Sequence, residues 1–238
     1  KKASSTPSTA PSTNATQATS SAESSKESAK AESTKDDVAK WLEDAKNIII
    51  VPGYGMAVSQ AQSRVKMLLE KLEGMGKNVR FAIHPVAGRM PGHMNVLLCE
   101  VDIPYDKLYE MEAINADFEK TDLVIIIGAS DVVNPAANTA EGTPIYGMPI
   151  LEAGKAKHII ICNFDLKPGY AGVPNPLYEM KDKVSLLLGD AKPSIDTLLS
   201  KLQGKSSNST SSGGNASSDA DVASWLKEAK NVIIVPGY

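Results

Sequence analysis

No stretch of this sequence approaches the roughly 18 consecutive apolar residues that a membrane-spanning helix needs, so no segment of it is expected to insert directly into a bilayer. Charge is nearly balanced, at −3 over 238 residues, which offers neither nucleic acid nor an anionic membrane surface an electrostatic hold. Cysteine is scarce. Cys99 and Cys162 each close an apolar run (Val-Leu-Leu-Cys and Ile-Ile-Ile-Cys), far from any Cys-x-x-Cys spacing. Both read as reduced, buried strand residues of a cytosol-like compartment. Histidine occurs three times; the spacing of His84 and His93 fits no standard zinc pattern and no third ligand is near them. They read as loop-fixing residues, and no metal site is expected.

Aromatic residues are missing altogether from the first 34 positions, which are mostly Ser, Thr, Ala, Lys and Pro. Such a composition has too little apolar surface to offset chain entropy, so 1–35 reads as a disordered linker. Residues 204–220, rich in Ser, Gly and Asn, repeat that chemistry. Between them, 36–203 has the length of one domain with a full core. A repeat then sets the organisation: Asp37-Val-Ala-Lys-Trp-Leu-Glu-Asp-Ala-Lys-Asn-Ile-Ile-Ile-Val-Pro-Gly-Tyr54 recurs as Asp221-Val-Ala-Ser-Trp-Leu-Lys-Glu-Ala-Lys-Asn-Val-Ile-Ile-Val-Pro-Gly-Tyr238. Residues 221–238 read as the start of a second copy, and the chain as a piece of a longer polypeptide.

Within 36–203 apolar runs alternate with helical periodicity. A helix is expected at 37–45, then strand 47–51, helix 56–73 stopped by Gly74 and Gly76, strands 79–83 and 95–101, helix 105–117, strands 122–127, 158–162 and 184–188, and helix 191–202. Strands this apolar on both sides belong in a parallel sheet covered by helices on two faces. The expected fold is a doubly wound, Rossmann-like α/β domain. Its ligands bind at the carboxyl ends of the strands, which gathers 52–58, 84–94, 128–139 and 163–175 around one crevice.

The first of these segments carries the chemistry most openly. In Val51-Pro-Gly-Tyr-Gly-Met-Ala-Val58 a strand runs through a glycine turn into a helix: Gly53 permits the turn, and Gly55 lets main-chain N–H groups approach a pyrophosphate at the positive end of the helix dipole. The third glycine position of the usual fingerprint is Val58, so the motif alone leaves a nucleotide site and an empty turn equally open.

Six segments together resemble domain III, the NADP(H)-binding part of the beta subunit, of the proton-translocating NAD(P) transhydrogenases: Pro52–Val58, His84–Leu98, Gly128–Ala137, Gly147–Glu152, Gly169–Leu177 and Gly189–Lys192. The likeness covers 37–203 in order. It implies a domain that holds NADP(H) and exchanges hydride with NAD(H) on a partner domain I, coupled to proton passage through a membrane domain II, at the cytoplasmic face of a membrane. Carried onto this sequence, the cofactor-binding positions are Gly53, Tyr54, Gly55, Met56, Ala57 and Val58; Val86, Ala87, Gly88 and Arg89; Gly128, Ala129, Ser130, Asp131 and Asn134; Asn163, Phe164, Asp165 and Lys167; Gly169, Tyr170, Ala171 and Gly172; and Gly189, Asp190 and Ala191. Asp131 stands near the nicotinamide end as the residue tied to catalysis, its other reading being a cap on the turn that follows it. Gly169–Gly172 becomes a lid, with an ordinary turn as the alternative. Met148-Pro149-Ile150 is expected at the contact with domain I. One departure matters. The family's Lys-Arg-Ser, which holds the 2′-phosphate, is here Asn163-Phe164-Asp165, leaving Lys167, Lys192 or Arg89 to substitute. A non-catalytic tandem dinucleotide-binding or sensing module is the alternative function.

Overall fold

The computed structural model of the chain describes residues 37–203; the expectations for 1–35, 204–220 and 221–238 lie outside the described residues. Helix α1 (37–44) leads into β1 (Asn47–Pro52), and the chain continues through α2 (Tyr54–Val58), α3 (Gln62–Gly74), β2 (Asn78–Ile83), α4 (His93–Cys99), β3 (Leu108–Glu110), α5 (Met111–Ile114), β4 (Leu123–Ile127), α6 (Ala136–Thr139), β5 (His158–Asn163), β6 (Val184–Leu188) and α7 (Ala191–Gln203). The six strands form one sheet in the order β3-β2-β1-β4-β5-β6, parallel at every pairing. The expected doubly wound α/β fold is present, and the direction of winding reverses between β1 and β4.

Period-2 alternation sorts the strand residues between two cores. Ile48, Ile50, Phe81, Ile125 and Ile160 face one side, where α1, α3 and α7 cover them with Leu42, Leu68, Leu72, Ile195 and Leu198. Ile49, Val51, Val124, Ile126 and Ile161 face the other, against Ile114, Phe118, Leu151 and Leu177. Each central strand is thus buried on both faces, the physical reason its sequence is continuously apolar.

Three expected elements differ. The single helix over 56–73 is two helices, parted where Gln60 takes φ 51° and the Ser59 hydroxyl donates back to the Gly55 and Met56 carbonyls. Val58, counted in its apolar stripe, is exposed. Segment 95–101 is not a strand: α4 covers most of it, entered from Gly92 at φ 76°, with Met94 and Leu98 buried one turn apart and Cys99 exposed. The buried-strand reading holds for Cys162 and fails for Cys99. In place of a helix over 105–117, Leu108–Glu110 forms the edge strand beside β2, because Leu108 pairs with Phe81 and continues the sheet. The expected stop after α3 is seen: Gly76 at φ 78° donates to Glu73 O and Lys77 N–H to Leu72 O, closing the helix with a Schellman pair.

At the amino edge of the sheet Trp41 stacks on His158, centroids 4.5 Å apart, and Asp122 ties β4 to β1 by accepting from the Lys46 and Asn47 N–H groups and from Lys157 Nζ. Burial acts to raise the Asp122 pKa; the lysine and the two main-chain donors outweigh it and hold the carboxyl at about 2. A carboxylate whose pKa is depressed on folding stabilises above its unfolded pKa and loses that contribution as pH falls toward the folded value. Asp122→Asn is therefore expected to cost about 1–2 kcal/mol at neutral pH, discounted for partial exposure. In urea melts the variant and wild type should converge between about pH 4 and pH 2; a gap that stays constant with pH would contradict this.

Candidate functional site

At the winding reversal, the carboxyl ends of β1 and β4 open into a cavity of about 530 Å³, within the range of small-molecule and cofactor sites. Its walls come from all four expected segments: Gly53, Tyr54 and Gly55; Val86, Ala87, Gly88 and Arg89; Gly128, Ala129, Ser130 and Asp131; Gly169 and Tyr170. Val132, absent from the expected set, also lines it.

The glycines make this floor by letting two loops touch. A Cβ on Gly53 would stand 2.3 Å from Gly128 O, and one on Gly55 2.7 Å from Gly128 Cα. Gly53 N–H donates to Ile127 O and Gly55 N–H to Gly128 O, while Gly128 itself has φ 66°. Gly55 thus uses its N–H within the protein, and close packing of the β1 and β4 loops demands glycine there before any phosphate is considered.

Asp131 does not cap the turn that follows it. Its Oδ2 accepts from the Ala171 N–H at 2.9 Å, and a Cβ on Gly169 would fall 2.4 Å from Oδ1. The carboxylate lies under the 169–172 loop and holds it down, with Oδ1 buried and unpartnered among the described residues. Tyr170 projects fully exposed, Ala171 is part-buried and Gly172, exposed at φ 69°, completes the turn by donating to Gly169 O. Asn134 is buried; it donates to the Val173 and Pro174 carbonyls and accepts from Ala136 N–H. It orders the loop and does not line the cavity.

On the β2 side the Arg89 guanidinium lies 5.0 Å over the Tyr54 ring. Arg89, Tyr54, Ala57, Val58 and His93 line a neighbouring cavity of about 410 Å³. His93 Nδ1 accepts from the Arg89 N–H and sits where a Cβ on Gly88 would be. Buried His84 accepts from Val86 N–H at Nδ1, which leaves Nε2 to donate to Pro149 O. Desolvation lowers its pKa, with the Pro149 contact opposing, so it is neutral near pH 7. Both histidines fix loops. Among the described residues no cluster of three or more His, Cys, Asp or Glu is placed to hold a metal.

On the β5 side a smaller cavity, about 170 Å³, is lined by Val58, Phe164, Gly189, Asp190 and Ala191 and shares Gly55 and Gly128 with the main one. Buried Cys162 also borders it, its thiol pushed up to about 12 by desolvation, so it stays protonated. Met56 is wholly within the core. Asn163 turns inward, donating to Ala129 O and Tyr178 Oη; it supports the floor. Asp165 and Lys167 pair with each other at 3.3 Å. Ile150 is buried while Pro149 is exposed and Met148 half-buried.

The sequence reading missed Asn175 and Tyr178. Asn175 is buried, donates to Ser130 O and accepts from Leu177 N–H; Tyr178 Oη bonds Ser130 Oγ. Asn134-Pro135 and Asn175-Pro176 make the same turn, each Asn accepting from the N–H two residues on. The repeated Asn-Pro dipeptide was the available signal.

The family model for the NAD(P) transhydrogenase beta subunit matches residues 6–201. Two proteins from Rhodospirillum rubrum, one of them from strain ATCC 11170, both described as NAD(P) transhydrogenase subunit beta, are 48% identical over 164 residues, covering 69% of this chain. The chain spans 35% of the length of those relatives. Among solved structures, an exopolyphosphatase-related protein from Bacteroides fragilis aligns over 72% of this chain and 44% of its own at a TM-score of 0.41 and 16% identity, too distant to bear on function.

Proposed function

Because the chain belongs to the NAD(P) transhydrogenase beta subunit family, we propose that residues 36–203 are its dinucleotide-binding domain III, exchanging hydride with NAD(H) held on a partner domain I. The observation that carries this reading is the glycine-floored crevice at the reversal of winding, roofed by a loop that Asp131 clamps. Main chain at 53–55 and 128–130 lines the floor of the crevice, where a bound ligand would meet it. Tyr54 and Arg89 form one wall and Tyr170 the rim. The buried, unpartnered Asp131 Oδ1 fits a polar group of a ligand seated beneath the loop. A nicotinamide dinucleotide, when bound, supplies the hydride chemistry; the protein binds and orients it and excludes water. Exposed Pro149, beside half-buried Met148, is the proposed contact with domain I. In this reading the domain lies at the cytoplasmic face of a membrane, and proton translocation belongs to a separate membrane domain II; no helix among the described residues is long and apolar enough to cross a membrane.

The chain is expected to bind dinucleotide by isothermal titration, to show no hydride exchange alone, and to reduce an NAD analogue from NADPH or NADH once a family domain I is added. Binding without exchange over a wide range of domain I concentration would favour the sensing-module reading. Exchange by the chain alone would contradict the division of labour.

A further inference from the structure

We propose that the β5–β6 end of the crevice accepts the free ribose 2′-hydroxyl of NAD(H) in preference to a 2′-phosphate, with Asp165 and Asp190 as the specificity-determining residues. The inference rests on the reading of the crevice as a dinucleotide site and adds which dinucleotide it takes. Asn163 pairs with Leu188 in the last register of β5 and β6, and Gly189 N–H continues the ladder to Asn163 O. Asp165 and Asp190 therefore each stand two residues beyond a matched pair, on neighbouring strand ends.

Between them Phe164, 77% exposed, lines the small cavity, which shares Gly55 and Gly128 with the main one. An apolar slot with an aromatic wall suits a purine base, by stacking, and the ribose attached to that base then lies beside the two strand ends. The charge there is unsuited to a phosphate. Asp190 lines the slot, its Oδ1 accepting from the Lys192 N–H while the Lys192 side chain lies exposed outside the lining; Asp165, next to Phe164 but outside the lining, accepts from the Lys167 N–H and pairs with the exposed Lys167 ammonium at 3.3 Å. Asn163 is committed to Ala129 O and Tyr178 Oη. Arg89 stands on the opposite arm, over Tyr54. Among the described residues no cation lines this slot. A phosphate monoester carries about −1.5 to −2 charge near neutral pH and needs a charge-assisted partner to offset desolvation. A 2′-hydroxyl instead donates to a carboxylate, the arrangement by which an acidic strand end selects the unphosphorylated ribose.

Titration of the full 238-residue chain with NAD, NADH, NADP and NADPH separates the possibilities. The expected result is affinity for NAD(H) at least about tenfold above that for NADP(H) at low salt. The gap should narrow as ionic strength rises and screens the repulsion. Asp165→Asn combined with Asp190→Asn keeps both local acceptors and should shrink the gap about fivefold, mainly by tightening NADP(H). Should the double variant fold poorly, the salt series on the unaltered chain decides. Equal or tighter NADP(H) binding, or a gap that neither salt nor the variant changes, overturns the proposal and leaves the dinucleotide reading standing. Heat from none of the four overturns that reading and this one with it.

Discussion

Gly128→Ala is expected to lower the thermal midpoint of the chain by about 10 °C and to abolish dinucleotide binding. Two costs combine. At φ 66° an L side chain is strained by roughly 1–2 kcal/mol, and the new Cβ would lie 2.4 Å from Gly55 Cα and from the Met56 nitrogen. Those are backbone atoms, so relief requires separating the β1 and β4 loops and stretching the Gly55 N–H to Gly128 O bond. Together the costs reach about 3 kcal/mol or more, and for a domain of this size each kcal/mol moves the midpoint by about 2–4 °C. Gly142 provides the control: its φ is 78° but a Cβ there meets nothing within 4 Å. Gly142→Ala should therefore pay the strain alone and shift the midpoint by about 3 °C. Equal shifts in scanning calorimetry would show that the contact between the two loops is not what requires Gly128. The comparison also separates two roles of the fingerprint, since Gly53 and Gly55 meet the same loop.

Asp131→Ala should weaken dinucleotide affinity by at least tenfold with a smaller loss of global stability. Removing the carboxylate leaves the Ala171 N–H without its acceptor and empties the space against which Gly169 packs. An unmade buried hydrogen bond costs about 1–3 kcal/mol, here charged to the roof of the crevice rather than to either core. The loop carrying exposed Tyr170 should become a preferred cleavage site for chymotrypsin at the Tyr170–Ala171 bond. Asp131→Asn keeps an oxygen for Ala171 and should protect the loop nearly as well as wild type. If Asp131→Ala left both proteolysis and titration unchanged, the clamp would be dispensable and the 169–172 segment an ordinary turn.

The central strands could be read from sequence because burial on both faces forces continuous apolar runs: Ile48–Val51, Leu123–Ile127 and Ile159–Cys162 can satisfy that demand in few other ways. The same rule misled at Asn95–Val101, whose Val-Leu-Leu-Cys run is equally apolar. A short apolar run does not distinguish strand from buried helix; the choice fell to Met94 and Leu98, one turn apart and packed into the core. Edge strand Leu108–Glu110 was hidden for the opposite reason. It has one neighbour, with Leu108 and Tyr109 half-buried and Glu110 exposed, so nothing compels an apolar sequence.

For the site, glycine positions and the order of the four loops were legible, because a parallel sheet of this kind must bring its strand ends together. That Gly53 and Gly55 serve the neighbouring loop, that Asp131 holds Ala171 forty residues away, and that Asn163 points inward to Ala129 were decided only by tertiary structure. Periodicity and local turns act over a few residues, and a single sequence records them directly. A hydrogen bond between loops depends on the angle and register at which separate strands end, which the packing of the whole sheet sets.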